Sequence, residues 1–241
     1  MFHPIVEYLL AGGIHKTTII AILSIPLIHL IINIGRYIIG FKIQVGYSII
    51  IMVYLFYFLG TLLDPYQTTS NIFVGLRYGF IFISAITLFS ISIYQIFKKV
   101  VMHYYPKLSV VIGATTIITT SLIFIGRMLE DPILTSINPI IIICIAILSE
   151  QITILYIKNG SSIGSVFEYF WTIILAGIAY IFLALPIFED IFLQYPWLIL
   201  IVLLSNGLIG KYTGLRITEY SRFNDLLLEK EHDEHISDTE E

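Results

Sequence analysis

His29 and Asn33 are polar residues inside an otherwise apolar run, four positions apart and so on one face of a helix. A proton or substrate relay would use such a pair. The plainer reading is two side chains that hydrogen-bond between helices and hold a bundle together. Farther along, Ser149-Glu150-Gln151 puts a carboxyl group at the end of a second apolar run. Glu150 reads as a buried acid coupled to protons, or as one half of an ion pair with Arg36, Lys42 or a residue of the 211–222 strip. Glu168 falls near the same edge. In that strip Arg216, Glu219, Arg222 and Asp225 succeed one another at intervals of three, which sets opposite charges side by side on a helix surface. Arg36, Glu150, Glu168, Arg216, Glu219 and Arg222 are therefore the candidate functional cluster. Gly75/Gly79 and Gly210/Gly214 have the small-xxx-small spacing that lets two helices approach closely.

The chain contains no His-Glu-x-x-His, Gly-x-Ser-x-Gly or Gly-rich phosphate loop, and no pair of aspartates within an apolar run, so no enzymatic activity and no cofactor are assigned. His232 and His235 belong to a polar tail, where metal binding would be adventitious because a structural site needs fixed ligands. Cys144 is the one cysteine, which excludes an internal disulfide and reads as a small hydrophobe. Asn159-Gly-Ser161 matches a glycosylation acceptor but falls on the face expected in the cytosol.

The elements that hold these residues follow from composition. Hydrophobic residues make up 57%, charged residues 12%, and mean hydropathy is +0.90. Soluble domains are about 45–50% apolar and about 25% charged. Lipid is the solvent that suits such a chain. Crossing hydrocarbon takes about 20 apolar residues, and seven segments can be drawn: Thr17–Ile34, Ile43–Leu63, Tyr78–Phe97, Leu108–Ile125, Ile133–Ile154, Ser165–Phe188 and Phe192–Ile209. Short connections make sequential neighbours pack. The expected fold is all-α, a polytopic bundle of seven transmembrane helices, with Pro26 and Pro139 kinking the first and fifth.

The cationic residues set the expected orientation. Ten (Arg36, Lys42, Lys98, Lys99, Lys107, Lys158, Lys211, Arg216, Arg222, Lys230) fall on one face, and three (Lys16, Arg77, Arg127) on the other, where local salt bridges are expected for Arg77 and Arg127. This places the N-terminus outside and the C-terminus in the cytosol. Glu7 interrupts the first residues, which do not read as a signal peptide. The organisation expected is an outer interfacial segment over 1–16, with Ile5, Tyr8 and Leu9 on one face. A seven-helix membrane domain follows over 17–210, then a juxtamembrane amphipathic helix over 211–228. A disordered acidic tail covers 229–241. Without that tail the body is mildly basic, and nothing points to nucleic acid.

The exit of the last helix, Gly210-Lys-Tyr-Thr-Gly-Leu-Arg-Ile-Thr-Glu-Tyr-Ser-Arg-Phe223, resembles the closing motif of the bacterial seven-transmembrane domain usually fused to an inactive transglutaminase-like domain. Pro26, Arg36-Tyr-Ile-Ile-Gly-Phe-Lys-Ile-Gln-Val-Gly46, His103-Tyr-Tyr-Pro-Lys-Leu108 and Glu150 fit the same family in order. Where the family tends to have Glu-Arg, this chain has Glu150-Gln151. The extracytoplasmic domain that usually precedes the spans is missing, so the chain reads as a free-standing version or a fragment. The resemblance implies a multi-pass protein of the bacterial plasma (inner) membrane. It also implies two partners, a transglutaminase-like extracytoplasmic protein and an ATP-grasp, ligase-like cytosolic protein. The function expected is a membrane anchor or signal relay between such partners. The alternative is a small-solute or proton-coupled transporter or channel in which His29, Asn33 and Glu150 line a central path.

Overall fold

A computed structural model describes residues 3–43, 46–62, 70–98, 100, 103–159 and 163–211. Helix α1 covers Pro4–Ala11 and α2 Lys16–Asn33, which runs on as one π-turn over Ile34–Ile39. Then come α3 (Gly46–Thr61), α4 (Ile72–Lys98), α5 (Tyr104–Met128), the single turn α6 (Pro132–Thr135) and α7 (Pro139–Asn159). The chain continues through α8 (Ile163–Ala184), α9 (Pro186–Gln194) and α10 (Leu198–Gly210). No strand occurs among the described residues.

The protein is an all-α membrane bundle. Five of these helices are long and apolar enough to cross a membrane: α2 with its π-turn, α4, α5, α7 and α8. The 16-residue α3 is equally apolar, and α10 continues from α9 across a bend of 106°. From Lys16 to Arg36 the helical rise is about 30 Å, one hydrocarbon thickness. Between these two cations α2 carries no charge. They mark the two ends of the bundle, called here the Lys16 end and the Arg36 end.

Helix α3 is the hub. It packs against α2, α4, α7 and α8, and Ile49, Met52, Val53, Leu55, Phe56, Tyr57 and Leu59 are fully buried. A helix apolar on every side has to sit inside such a ring. Phe82 and Ile83 of α4, Ile141 and Ile145 of α7, and Ala176 and Tyr180 of α8 close the core around it. Helix α10 has no buried residue and lies at the periphery against α2.

Several boundaries differ from those the hydrophobic runs suggest, and proline explains most of them. Pro139 does not kink the fifth span but begins it, because the first turn of a helix has no use for the missing N–H. Ile133 and Leu134 belong to a separate turn, α6. Pro186 splits the expected run Ser165–Phe188, ending α8 at Ala184 and starting α9. Pro26 does lie within α2, and its carbonyl accepts from Asn206 Nδ2 at 3.2 Å. Helix α1 forms, yet it docks through Val6, Leu9 and Leu10 while Ile5 and Tyr8 face outward at 60% and 80% exposure. The segments 212–228 and 229–241 lie outside the described residues.

Candidate functional site

A buried polar network lies at the Lys16 end. Pro186 starts α9 as a helix of its own, and its inward face carries Glu189, Phe192 and Leu193 at positions i, i+3 and i+4. Glu189 is thereby buried, 3% exposed. Lys16 Nζ, at the first residue of α2, donates to Glu189 Oε2 at 3.3 Å, and Tyr57 Oη of α3 donates to Oε1 at 3.3 Å. A second set continues along α3: Ser70 Oγ donates to the Tyr57 carbonyl at 3.2 Å and lies 2.9 Å from Tyr180 Oη. Tyr180 Oη in turn donates to the Asn71 carbonyl at 3.1 Å. One carboxylate and two phenols therefore join α2, α3, α8 and α9 with every buried polar atom of the network engaged, as low-dielectric surroundings require.

Glycines make room for this network. A Cβ at Gly75 would stand against Tyr180 Oη, one at Gly60 against Ser70 Oγ, and one at Gly79 inside the ring of Phe56. Hence α4 crosses α3 with Phe56 and Tyr180 filling the space that side chains on α4 would need. Gly210 is different: a Cβ there meets nothing among the described residues. Gly214 lies outside them.

A smaller polar node sits at the same end between α4 and α6. Tyr78 Oη donates to Asp131 Oδ2 at 2.6 Å, and Asp131 Oδ1 accepts the Ile133 amide at 2.9 Å, capping α6. Burial opposes ionisation of Asp131. The Tyr78 hydroxyl, the Ile133 and Leu134 amides and the nearby Arg77 charge outweigh it and hold the carboxyl below its usual value. The local salt bridges expected for the two arginines do not form among the described residues. Arg77 lies 5.6 Å over the Tyr78 ring, and Asp131 spends its oxygens on the helix cap and Tyr78, leaving Arg127 exposed.

The residues singled out from sequence are dispersed. Asn33 Nδ2 donates to Asn206 Oδ1 at 2.8 Å, tying α2 to α10. His29 shares its helix face with Asn33 but is exposed on the outside of the bundle, with Nδ1 3.0 Å from its own helix's Ile25 carbonyl. Glu150 is half-buried on α7 and, among the described residues, forms no ion pair with Arg36 or Lys42. Arg36 is exposed and lies 5.9 Å over the Tyr37 ring. Glu168 accepts the Thr172 hydroxyl through its backbone carbonyl at 2.7 Å. Arg216, Glu219 and Arg222 lie outside the described residues.

Sequence reasoning passed over Lys16, Tyr57, Ser70, Tyr180 and Glu189. A signal for Glu189 existed. Read as a helix from Pro186, residues 186–194 place Glu189 with Phe192 and Leu193, and turn Asp190 out. Nothing local marks Tyr57 or Tyr180 among so many aromatic residues. Among the described residues no group of three metal-binding side chains forms. The chemistry the Lys16-end network supports is therefore cohesive: an ion pair and phenol bonds that lock a connecting helix onto the bundle.

Residues 13–227 match the family model described as seven transmembrane helices usually fused to an inactive transglutaminase. No curated protein and no solved structure matches the chain.

Proposed function

This chain belongs to the family of seven transmembrane helices usually fused to an inactive transglutaminase, and on that membership we propose that it is a non-catalytic membrane module, an anchor or signal relay. In this reading the N-terminus is outside and the C-terminus cytosolic, in the plasma membrane of a bacterium. The Lys16 end holds a transglutaminase-like extracytoplasmic partner through α1 and α9. The Arg36 end, with the 211–222 strip, meets an ATP-grasp, ligase-like partner in the cytosol. A small-residue seam at Gly75 and Gly79, where a Cβ would meet Tyr180 and Phe56, serves helix packing.

The observation that carries this reading is the bundle's interior. At mid-depth α3 is surrounded by apolar side chains with essentially no exposure. Two of the three residues a transport path would use point elsewhere, His29 to the outside and Asn33 to Asn206. The buried polar groups at the Lys16 end bind one another and brace α9, which suits a rigid platform better than a moving gate.

Two measurements on the full chain in liposomes test it. A separately expressed transglutaminase-like domain is expected to bind the outward-facing liposomes, and binding is expected to fall when Tyr8 and Ile187, exposed on α1 and α9, are changed to Asp. Proton flux under an imposed gradient is expected to equal that of empty liposomes. Flux above that background, abolished in Glu150→Gln and kept in Arg216→Ala, would overturn the anchor in favour of the transporter.

A further inference from the structure

An apolar groove of about 360 Å³ runs between α2 and α8, and no polar atom lines it. That volume is within the range of about 300–1,000 Å³ found for ligand sites. Its walls include Leu27, Ile31, Gly35, Phe41, Leu175 and Ile178, and it opens outward past Ile178, which is 39% exposed. The π-turn shapes it. Gly40, at φ +92°, takes the left-handed conformation that a glycine permits, and the Gly40 and Phe41 amides both donate to the Gly35 carbonyl, at 3.0 and 2.9 Å. The turn carries Phe41 onto Trp171 of α8, ring centroids 4.4 Å apart and nearly parallel, which closes the groove at the Arg36 end. Gly35 brings α2 close to α8, since a Cβ there would stand 3.0 and 3.2 Å from the Leu175 methyls. Single π-turns of this kind are common where helices are shaped for function.

The groove's chain neighbours carry the charge. Arg36 follows Gly35 and Lys42 follows Phe41, both exposed, so two cations adjoin wall residues at the Arg36 end. A ligand matched to this layout has a long apolar part and an anionic head at the membrane surface. The head would be bound by the two cations as interfacial basic residues bind anionic lipids.

We propose that the groove between α2 and α8 is a site for an anionic phospholipid, one acyl chain lying along Leu27, Ile31, Leu175 and Ile178 and the phosphate held by Arg36 and Lys42. The site stands independently of the anchor reading, because it concerns lipid selectivity and no partner protein.

The test uses Trp171 as a reporter, with Trp197→Phe removing the other tryptophan. The full chain is reconstituted in phosphatidylcholine vesicles that contain, at equal mole fraction, either phosphatidylglycerol or phosphatidylcholine with brominated chains. The expected result is several-fold more effective quenching of Trp171 by the phosphatidylglycerol. That preference should shrink in Arg36→Gln and in Lys42→Gln, and quenching by the two lipids should become equal when both cations are removed. Ile178→Phe, which fills the groove, should reduce quenching by phosphatidylglycerol to the phosphatidylcholine level, with Leu27→Phe as the second variant if the first does not keep its helicity. Equal quenching by the two lipids, or a preference that survives both charge substitutions, overturns the proposal. So does cross-linking between copies through Ile178→Cys in a Cys144→Ser background, which would make a second protein copy the occupant.

Discussion

Lys16 Nζ stands 3.3 Å from Glu189 Oε2, across 173 residues of chain, and the carboxylate it meets is almost fully enclosed. The pair fastens the start of the first span to the helix between the sixth and the seventh. Lys16 is itself 23% exposed, so it retains some solvent and the pair is only half desolvated.

Removing one partner is therefore expected to cost more than neutralising the acid. Lys16→Met leaves the Glu189 carboxylate buried without its cation, a loss of about 2–3 kcal/mol, below the 3–5 kcal/mol seen when a fully buried pair is broken. Glu189→Gln keeps an oxygen for the Tyr57 hydroxyl and should cost about 1 kcal/mol or less. Thermal melts in detergent, run as a double-mutant cycle, check the order. Equal losses for the two single variants would mean that the ion pair does not hold α9.

Gly79 and Gly113 form a matched contrast. A Cβ at Gly79 would enter the Phe56 ring, whereas one at Gly113 meets nothing. Gly79→Ala is expected to destabilise by about 1–3 kcal/mol through overpacking. Gly113→Ala should be neutral or slightly stabilising, since alanine is the better helix former. Melting temperatures of the two variants decide the matter, and Phe56→Leu in the Gly79→Ala background should recover part of the loss.

Asp131 supplies a pH dependence with a definite sign. Its carboxyl is held below the usual value in the folded protein. Its contribution is therefore present above the unfolded pKa, about 3.9, and is lost as pH falls through the lower folded value. Asp131→Ala removes the α6 cap and the Tyr78 bond, with an expected cost of about 1–2 kcal/mol near neutral pH. That cost should shrink on acidification below about pH 4. Melts of wild type and variant across that range should converge at the acid end; a constant gap would assign the effect to packing instead.

Asn33 and Asn206 bring the last span onto the first. Asn206 Nδ2 also reaches the Pro26 and Val202 carbonyls, at 3.2 and 3.0 Å. Asn206→Leu should weaken the attachment of α10 by about 0.6–1.7 kcal/mol, the range for hydrogen bonds between membrane helices. Amide exchange along Leu198–Gly210 should rise in the variant while exchange in α3 stays unchanged.

What could be read directly from the residues was the class of fold and the number and order of its apolar segments. Both follow from composition and run length, since hydrocarbon forces each span to satisfy its backbone within a helix. The close-approach spacing at Gly75/Gly79 was visible too, although what fills the gap, Phe56 and Tyr180, was not. Only the tertiary structure decided which polar groups meet. His29 and Asn33 share a helix face, yet one turns to the bundle's exterior and the other to Asn206, because their surroundings depend on where α10 docks. Glu189 falls in sequence between the expected segments Ser165–Phe188 and Phe192–Ile209, and its burial comes only from the turn at Pro186 that lays α9 over Lys16 and Tyr57. Periodicity is a property of one helix; partnership depends on helices separated by as many as 173 residues, and no local pattern encodes it.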